Sequence, residues 1–217
     1  MPELTFTVLD VAPEPYAAAP NLLARLRVEE TTGEVVHALA LRAQVRIEPQ
    51  RRRYDDAEEQ ALLDLFGGRS RFAETLKPFS WLHASTVAQG FTGSTEVSLV
   101  LPCSYDVEVA GTPYLRALQG GEIPLVFLFS GTVFTRGATG FAVAQVPWDR
   151  EASYRLPVSV WRALMDQHFP GTEWLRVRRD TVDALGRYKH DRGLTSWDDV
   201  VSGLLAEASA LDGGAGP

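Results

Sequence analysis

Hydrophobic and polar residues alternate with period two along most of the first 146 positions, as strands with one packed and one wet face require. The clearest run is Val35 to Ile47, where Leu39, Leu41, Ala43, Val45 and Ile47 oppose Arg42, Gln44 and Arg46. Between Thr95 and Tyr105 the apolar set is Val97, Leu99, Leu101, Cys103 and Tyr105, and Thr92-Gly93-Ser94 joins this strand to one over Ser80–Phe91. From Thr5 to Val11, Phe6 and Val8 with Asp10 alternate against Thr7, Leu9 and Val11, and a further strand spans Leu22 to Glu29. Ile123–Thr135 is apolar on both faces, which predicts a central strand covered on both sides. Phe141–Val146 is expected to end the sheet region.

Helical signals interrupt and follow these strands. Asp55 or Asp56 can cap a short helix near residues 56–66, with Gly67-Gly68 as its left-handed stop. Thr112 and Pro113 suit the start of a helical turn ending at Leu118. Beyond Pro147, a helix is predicted over Pro157–His168, with Val160, Trp161 and Leu164 on one stripe. Trp174–Val177 reads as a short extended piece. Asp180 is expected to cap a helix carrying Val182, Leu185 and Tyr188, and Ser196 a last one with the stripe Trp197, Val200, Val201, Leu204 and Leu205. The chain is thus expected to be α+β and mainly β, an antiparallel sandwich or curved sheet of about seven strands. The sandwich-like region is placed at 1–146, a helical region packed on the same unit at 147–211, and a disordered tail at 212–217.

Composition narrows the function classes. At 217 residues and 45% hydrophobic content the chain can bury a core without disulfides. The lone Cys103 permits neither an internal disulfide nor a thiolate-rich metal site, and its apolar neighbours favour a buried, inert thiol. A net charge of −7 opposes general attraction to phosphate backbones, and the clusters Arg51-Arg52-Arg53 and Arg176–Arg179 are short, lack interleaved aromatics and read as solvated turns or strand ends rather than nucleic-acid contacts. No nucleic-acid partner is expected. The longest apolar stretch, Ile123–Phe129, is far shorter than the roughly 20 residues of a membrane span. No secretory signal is visible after Met1, so a cytoplasmic location is expected. Arginine outnumbers lysine 19 to 2, a bias of GC-rich bacterial genomes that concerns source rather than function.

Motifs for known chemistry are absent: no phosphate-cradling glycine loop, no Gly-x-Ser-x-Gly elbow, no His-Glu-x-x-His helix. His37, His83, His168 and His190 lie far apart, and a cross-strand site from His37, His83 and Glu96 would need long-range convergence. Hence no catalytic residue, metal or cofactor is expected. Two clusters stand out. Trp81, His83, Ser85 and Gln89 share one strand face by their spacing and could floor a small-molecule pocket, although a sheet face covered by a helix explains them more simply. Trp148, Asp149, Arg150 and Glu151, with Tyr154 and Arg155, could form an acid/base site or a partner-binding knob, although an ion-pair network docking the helices is the simpler account.

The stretch Val146-Pro147-Trp148-Asp149-Arg150-Glu151-Ala152-Ser153-Tyr154-Arg155-Leu156-Pro157, continuing through Trp161, Met165, Phe169-Pro170-Gly171 and Trp174-Leu175, resembles an actinobacterial family of proteins of unknown function. Ile47–Arg52 and Phe79-Ser80-Trp81 resemble it too, so the likeness extends over nearly the whole chain. Members are often encoded near nickel–iron hydrogenase genes, and the resemblance therefore implies an accessory or assembly role. It brings no established activity and no catalytic residue. The expected function is a non-enzymatic cytoplasmic accessory protein that binds another protein. The alternative is an enzyme or small-ligand carrier using the Trp81–His83 face, which calls for an open cavity there. A subunit of a larger assembly, marked by a contiguous exposed apolar patch, is a third possibility. Partner identity and oligomeric state are left open.

Overall fold

The computed structural model describes residues 2–103, 111–137, 140–172 and 177–213. Through Gly171 the chain forms one compact unit, and residues from Thr172 onward form a second.

Among the described residues eight strands build the first unit: β1 (Leu4–Pro13), β2 (Asn21–Glu30), β3 (Val36–Ile47), β4 (Phe79–Phe91), β5 (Ser94–Pro102), β6 (Glu122–Gly137), β7 (Gly140–Gln145) and β8 (Glu151–Pro157). They make two antiparallel sheets, β1-β2-β5 and β4-β3-β6-β7, with β8 also paired to β6. The fold is accordingly α+β and mainly β, two open antiparallel sheets with helices toward the C-terminus. β3 shows the expected division: Leu39, Leu41, Ala43, Val45 and Ile47 are buried, Arg42 is exposed, and Gln44 and Arg46 are half-buried. The inner faces meet through Leu22, Leu26, Leu99 and Leu101 on one side and Leu39, Val45, Ile47 and Phe127 on the other. Each fully buried side chain of this size contributes about 1.5–3 kcal/mol. The Phe6 and Phe129 rings stack across the interior at 4.3 Å.

Two β-bulges shift the phase of alternation. In β1 the register slips between Val8 and Asp10, so Val11 rather than Asp10 follows Phe6 and Val8 into the core. In β4 it slips opposite Val45 and Arg46, where Val45 pairs with Leu82 and Arg46 with Ser80. Trp81 is the extra residue, and both it and Leu82 are buried.

Between β3 and β4 lie short helices α1 (Asp56–Ala61), α2 (Leu63–Phe66) and α3 (Phe72–Thr75). Asp55 caps α1 by accepting from the Glu58 backbone N–H, and Gly67 ends α2 at φ +73°. Helix α4 (Gly111–Ala117) follows β5; Tyr105, expected on that strand, lies outside the described residues. β6 is central, flanked by β3 on one side and by β7 and β8 on the other. The sheet does not end at Val146. Residues 151–157, placed above in the helical region, form β8, with Ala152, Tyr154 and Leu156 turned inward. Helix α5 (Val158–His168) buries Val158, Trp161 and Leu164 and packs on the sheet core.

The second unit consists of α6 (Arg179–Asp191) and α7 (Trp197–Gly213). Asp180 is not the cap of α6; it lies in the first turn, paired with Arg178. Ser196 does cap α7, its hydroxyl accepting from the Asp199 N–H while the Asp199 carboxylate accepts from the Ser196 N–H. The Lys189 ammonium lies over the Trp197 ring, and Tyr188 and Arg192 both donate to Glu207. Of the expected stripe on α7 only Val200 is fully buried, whereas Trp197, Val201 and Leu205 are exposed. The helix runs to Gly213, into the segment expected to be disordered. Trp174-Leu175-Arg176 lie outside the described residues.

Candidate functional site

Strand register places the outward residues of β3, β4 and β6 in rows. Arg42 stands opposite Ser85 of β4 and Ser130 of β6, and in the adjacent outward row Gln44 stands opposite His83 and Leu128. These six side chains line an open depression of about 1020 Å³. β5 lies against β4 and extends the surface to Val100 and Pro102, and Asn21 of β2 pairs with Pro102. Trp148 lines the same depression from beyond β6.

Trp148 reaches it because of how β6 changes partners. The first half of β6 pairs with β8 and the second half with β7, and residues 146–150 bridge the interruption. The bridge is tied to β6 at both ends, where the Phe129 N–H donates to Arg150 O (2.8 Å) and the Val146 N–H to Gly131 O (2.9 Å). The Arg150 N–H donates to Pro147 O within it (3.2 Å). The tip thus holds Trp148 in solvent with 92% of its surface exposed, on a scaffold that loses little freedom on binding.

The two clusters singled out in the sequence are redistributed. The bulge turns Trp81 off the His83 face and into the core, where it is 5% exposed and meets Trp161 edge-on at 6.0 Å. His83, Ser85 and Gln89 stay on the exposed face, and His83 and Ser85 join Trp148, from the other cluster, in the depression. Asp149, Arg150, Glu151, Tyr154 and Arg155 do not converge. Arg150 lies 3.6 Å from Glu3 and 3.9 Å from Asp149, and Arg155 lies 3.7 Å from Glu122. The first joins the 146–150 bridge to the residue before β1, the second lies within the bridge, and the third joins β8 to β6; none of the three reaches a helix. Glu151 is exposed. Tyr154 packs on the core; burial raises its pKa, opposed by a hydrogen bond with the Val11 backbone.

A polar constellation that sequence reading missed lies beneath α1. Arg52, within the cluster read as a solvated turn or strand end, turns its side chain inward, and its guanidinium pairs with Glu58; the two side chains are 8% and 3% exposed. Arg52 also donates to Gly120 O and Glu122 O, while Glu58 accepts from the Gln119 N–H at 2.7 Å. Beside it the Tyr54 and Tyr114 hydroxyls are 2.9 Å apart, both pKa values raised chiefly by burial. These bonds hold the β3–β4 connection to the segment before β6, so the cluster acts as a clasp between them, with the Arg52 Nε left without a hydrogen-bond partner among the described residues. The signal available beforehand was the Asp55 cap, which places Glu58 at a fixed position in the first turn.

Among the described residues no group of three or more His, Cys, Asp or Glu side chains is placed to hold a metal ion. His37 lies edge-on to Phe141, and Glu96 pairs with Arg27 and Arg25, so these two do not meet His83. No helix among the described residues is long and apolar enough to cross a membrane. Phe141, Val143 and Val87 are exposed, with Phe134 paired between Val143 and Ala38 on the far half of the same sheet.

Comparison with known proteins gives a family without a chemistry. The sequence profile of a family of unknown function (DUF6084) matches residues 1–212. No curated protein matches the chain in sequence. Among solved structures it is similar to a β-glucosidase from Kluyveromyces marxianus, at 8% identity over 71% of this chain and 15% of that one, with a TM-score of 0.25. It is similar to β-glucosidase 3B from Thermotoga neapolitana in complex with α-D-glucose, at 12% identity over 71% and 17%, with a TM-score of 0.27. The solution structure of a putative late embryogenesis abundant protein is similar at 13% identity over 72% of each chain, with a TM-score of 0.27. The chain spans about one sixth of the length of the two β-glucosidases. At such identities and TM-scores the likenesses transfer no chemistry to it.

Proposed function

Because the chain belongs to this family of unknown function, we propose on the site's geometry that it is a non-enzymatic cytoplasmic accessory protein that docks another protein in the depression beside Trp148. The observation that carries the reading is the pairing of an almost fully exposed indole with a loop hydrogen-bonded at both ends to a central strand. An aromatic side chain buries 150–250 Å² when covered, so occupying Trp148 is worth roughly 4–6 kcal/mol before the costs of association. A pre-organised Trp beside an Arg is the composition of an interface hot spot.

The test is affinity purification from the native host with the wild-type chain and Trp148→Ala side by side, read by mass spectrometry. The expected result is a protein enriched by the wild type and lost with the variant. Identical sets, or background alone, would overturn the proposal. The narrower form, a partner that belongs to hydrogenase maturation or assembly, rests on the family resemblance and is decided by the identity of that protein.

A small-molecule ligand is the second reading, favoured by the open volume at His83 and Ser85. It now excludes Trp81, whose place is in the core. Thermal-shift screening of metabolites against the wild type and His83→Ala decides it: a stabilising compound that loses its effect in the variant supports this reading, and none stabilising the wild type removes it.

A further inference from the structure

The rows of the depression determine which partner chemistry fits. The Arg42 guanidinium is flanked by the residues Ser85 and Ser130, one on each neighbouring strand, and Gln44 and His83 lie in the next outward row. Each of these side chains can donate a hydrogen bond. Arg42 makes no ion pair among the described residues, although the chain carries 28 carboxylates against 21 Lys and Arg. No carboxylate appears among the described residues that line the depression. The surface is therefore a cationic, donor-rich strip in an otherwise acidic protein, with an indole at one end.

Building on the protein-binding reading above, we infer that the segment docked here is an acidic, extended peptide stretch whose carboxylates meet Arg42 and its neighbouring donors and whose apolar or aromatic residue covers Trp148. Charge complementarity argues for this occupant: a carboxylate gains charge-assisted hydrogen bonds from a guanidinium that has no ion-pair partner among the described residues, while a basic segment would meet Arg42 unfavourably. Length follows from strand spacing. β4, β3 and β6 lie side by side at about 4.8 Å per step, and the floor is extended by β5, which lies against β4 from the other sheet, and by Trp148 beyond β6, giving roughly 15–20 Å. An extended chain crosses that distance in about six residues at ~3.3 Å each. A nucleic-acid strand of the same length brings one charge per nucleotide and needs several cations to neutralise it. Among the described residues the depression offers a single guanidinium, on a chain with a net charge of −7.

The experiment uses the full chain and three fluorescein-labelled hexapeptide pools. Each pool carries one Trp scanned through all six positions, on a background of Glu, Gln or Lys, and binding is read by anisotropy at low and high salt. A six-nucleotide thymidine oligonucleotide is the fourth probe. The expected result is binding of the Glu pool about tenfold or more tighter than the Gln pool, an advantage that shrinks with salt as screened charge requires. Arg42→Gln should bring the two pools within about twofold of each other, with circular dichroism and melting temperature unchanged because Arg42 is exposed. Equal affinity for the Glu and Gln pools, preference for the Lys pool or the oligonucleotide, an unchanged preference in Arg42→Gln, or no binding of any pool would overturn the inference. In all those cases a partner lost from Trp148→Ala in the purification would leave the protein-binding reading standing. Conversely, no partner lost from Trp148→Ala, with an acidic preference that Arg42→Gln abolishes, would overturn the docking reading centred on Trp148 and leave the acidic preference of the Arg42 strip standing.

Discussion

Gly131 of β6 lies so close to Ala40 of β3 that a Cβ added to it would stand 2.2 Å from the Ala40 carbonyl oxygen, and its φ is +156°. Only glycine fits this approach without moving one strand away from the other. The position matters for the site because Gly131 O accepts from the Val146 N–H that anchors the Trp148 loop, and Ser130 next to it lines the depression.

Gly131→Ala is therefore expected to destabilise the fold by more than about 2 kcal/mol, combining backbone strain with overpacking. Ser130→Ala, at the exposed neighbour, should stay within about 0.5 kcal/mol of the wild type. Urea unfolding of both variants measures this. Equal midpoints for Gly131→Ala and the wild type would show that β6 can move away from β3 at no cost.

The Arg52–Glu58 pair supplies a second expectation. Its side chains are almost wholly out of solvent, and Glu58 also accepts from the Gln119 N–H. Glu58→Ala would leave a buried guanidinium without its counter-charge and a backbone donor without an acceptor, at a cost of about 3–5 kcal/mol. Replacing both, Arg52→Met with Glu58→Leu, should cost less than Glu58→Ala alone, because the penalty comes chiefly from the unpaired charge. Denaturant titration of the single and double variants gives the comparison, and a double variant weaker than Glu58→Ala would contradict it.

Much of this framework was legible from alternation, and the failures have identifiable physical causes. β3 is readable because every second residue faces the core without interruption. Trp81 was misplaced because a bulge moves all preceding residues by one position, and Trp81-Leu82 is apolar in either phase. β8 was missed because Trp148-Asp149-Arg150 looks like a break, and a strand whose outward residues are Glu151, Ser153 and Arg155 is too polar to recognise without its partner. The site itself was visible only in halves. His83 and Ser85 share a face by spacing alone, but their meeting with Arg42 and Trp148 depends on the β3–β4 and β3–β6 registers and on the close approach of Gly131 to Ala40, all long-range. Arg52 was hidden because three consecutive arginines look solvated; the turn into α1 directs the middle one inward.

Glu30 ties β2 to the start of the chain and makes that contact pH-dependent. It is buried, and its carboxylate accepts from the Thr32 hydroxyl and N–H and from the Glu3 N–H. Burial pushes its pKa up, but these donors, with the Gly33 backbone, outweigh that and hold it below the ordinary glutamate value of 4.5. A depressed folded-state pKa means that the ionised form stabilises the fold above the unfolded-state value and that this contribution is lost as pH falls through the lower, folded value. Glu30→Gln should thus be less stable than wild type at pH 7, with the difference shrinking progressively below about pH 4.5. Unfolding free energies from pH 3 to 7 test this, and a difference that widens on acidification would contradict the assigned direction.

Cys103, at the end of β5, lets unfolding be followed chemically. Its side chain is buried, its sulfur lies 3.5 Å from Leu101 O, and its N–H donates to Pro20 O at 2.8 Å. Burial pushes its thiol up to about 12, so at pH 8 the nucleophilic thiolate is almost absent as well as shielded. A thiol-disulfide reagent such as DTNB should therefore modify the native protein only through opening of the β2–β5 edge, and the same thiol at once in urea. With opening faster than modification is complete, the labelling rate reports the free energy of that opening. Gly131→Ala, which strains the other sheet, should accelerate labelling in proportion to its loss of global stability if the two sheets open together. Stoichiometric reaction of the native wild type within seconds would mean that the thiol is reachable in the folded chain, and labelling of Gly131→Ala at the wild-type rate would mean that the β2–β5 edge opens independently of the other sheet.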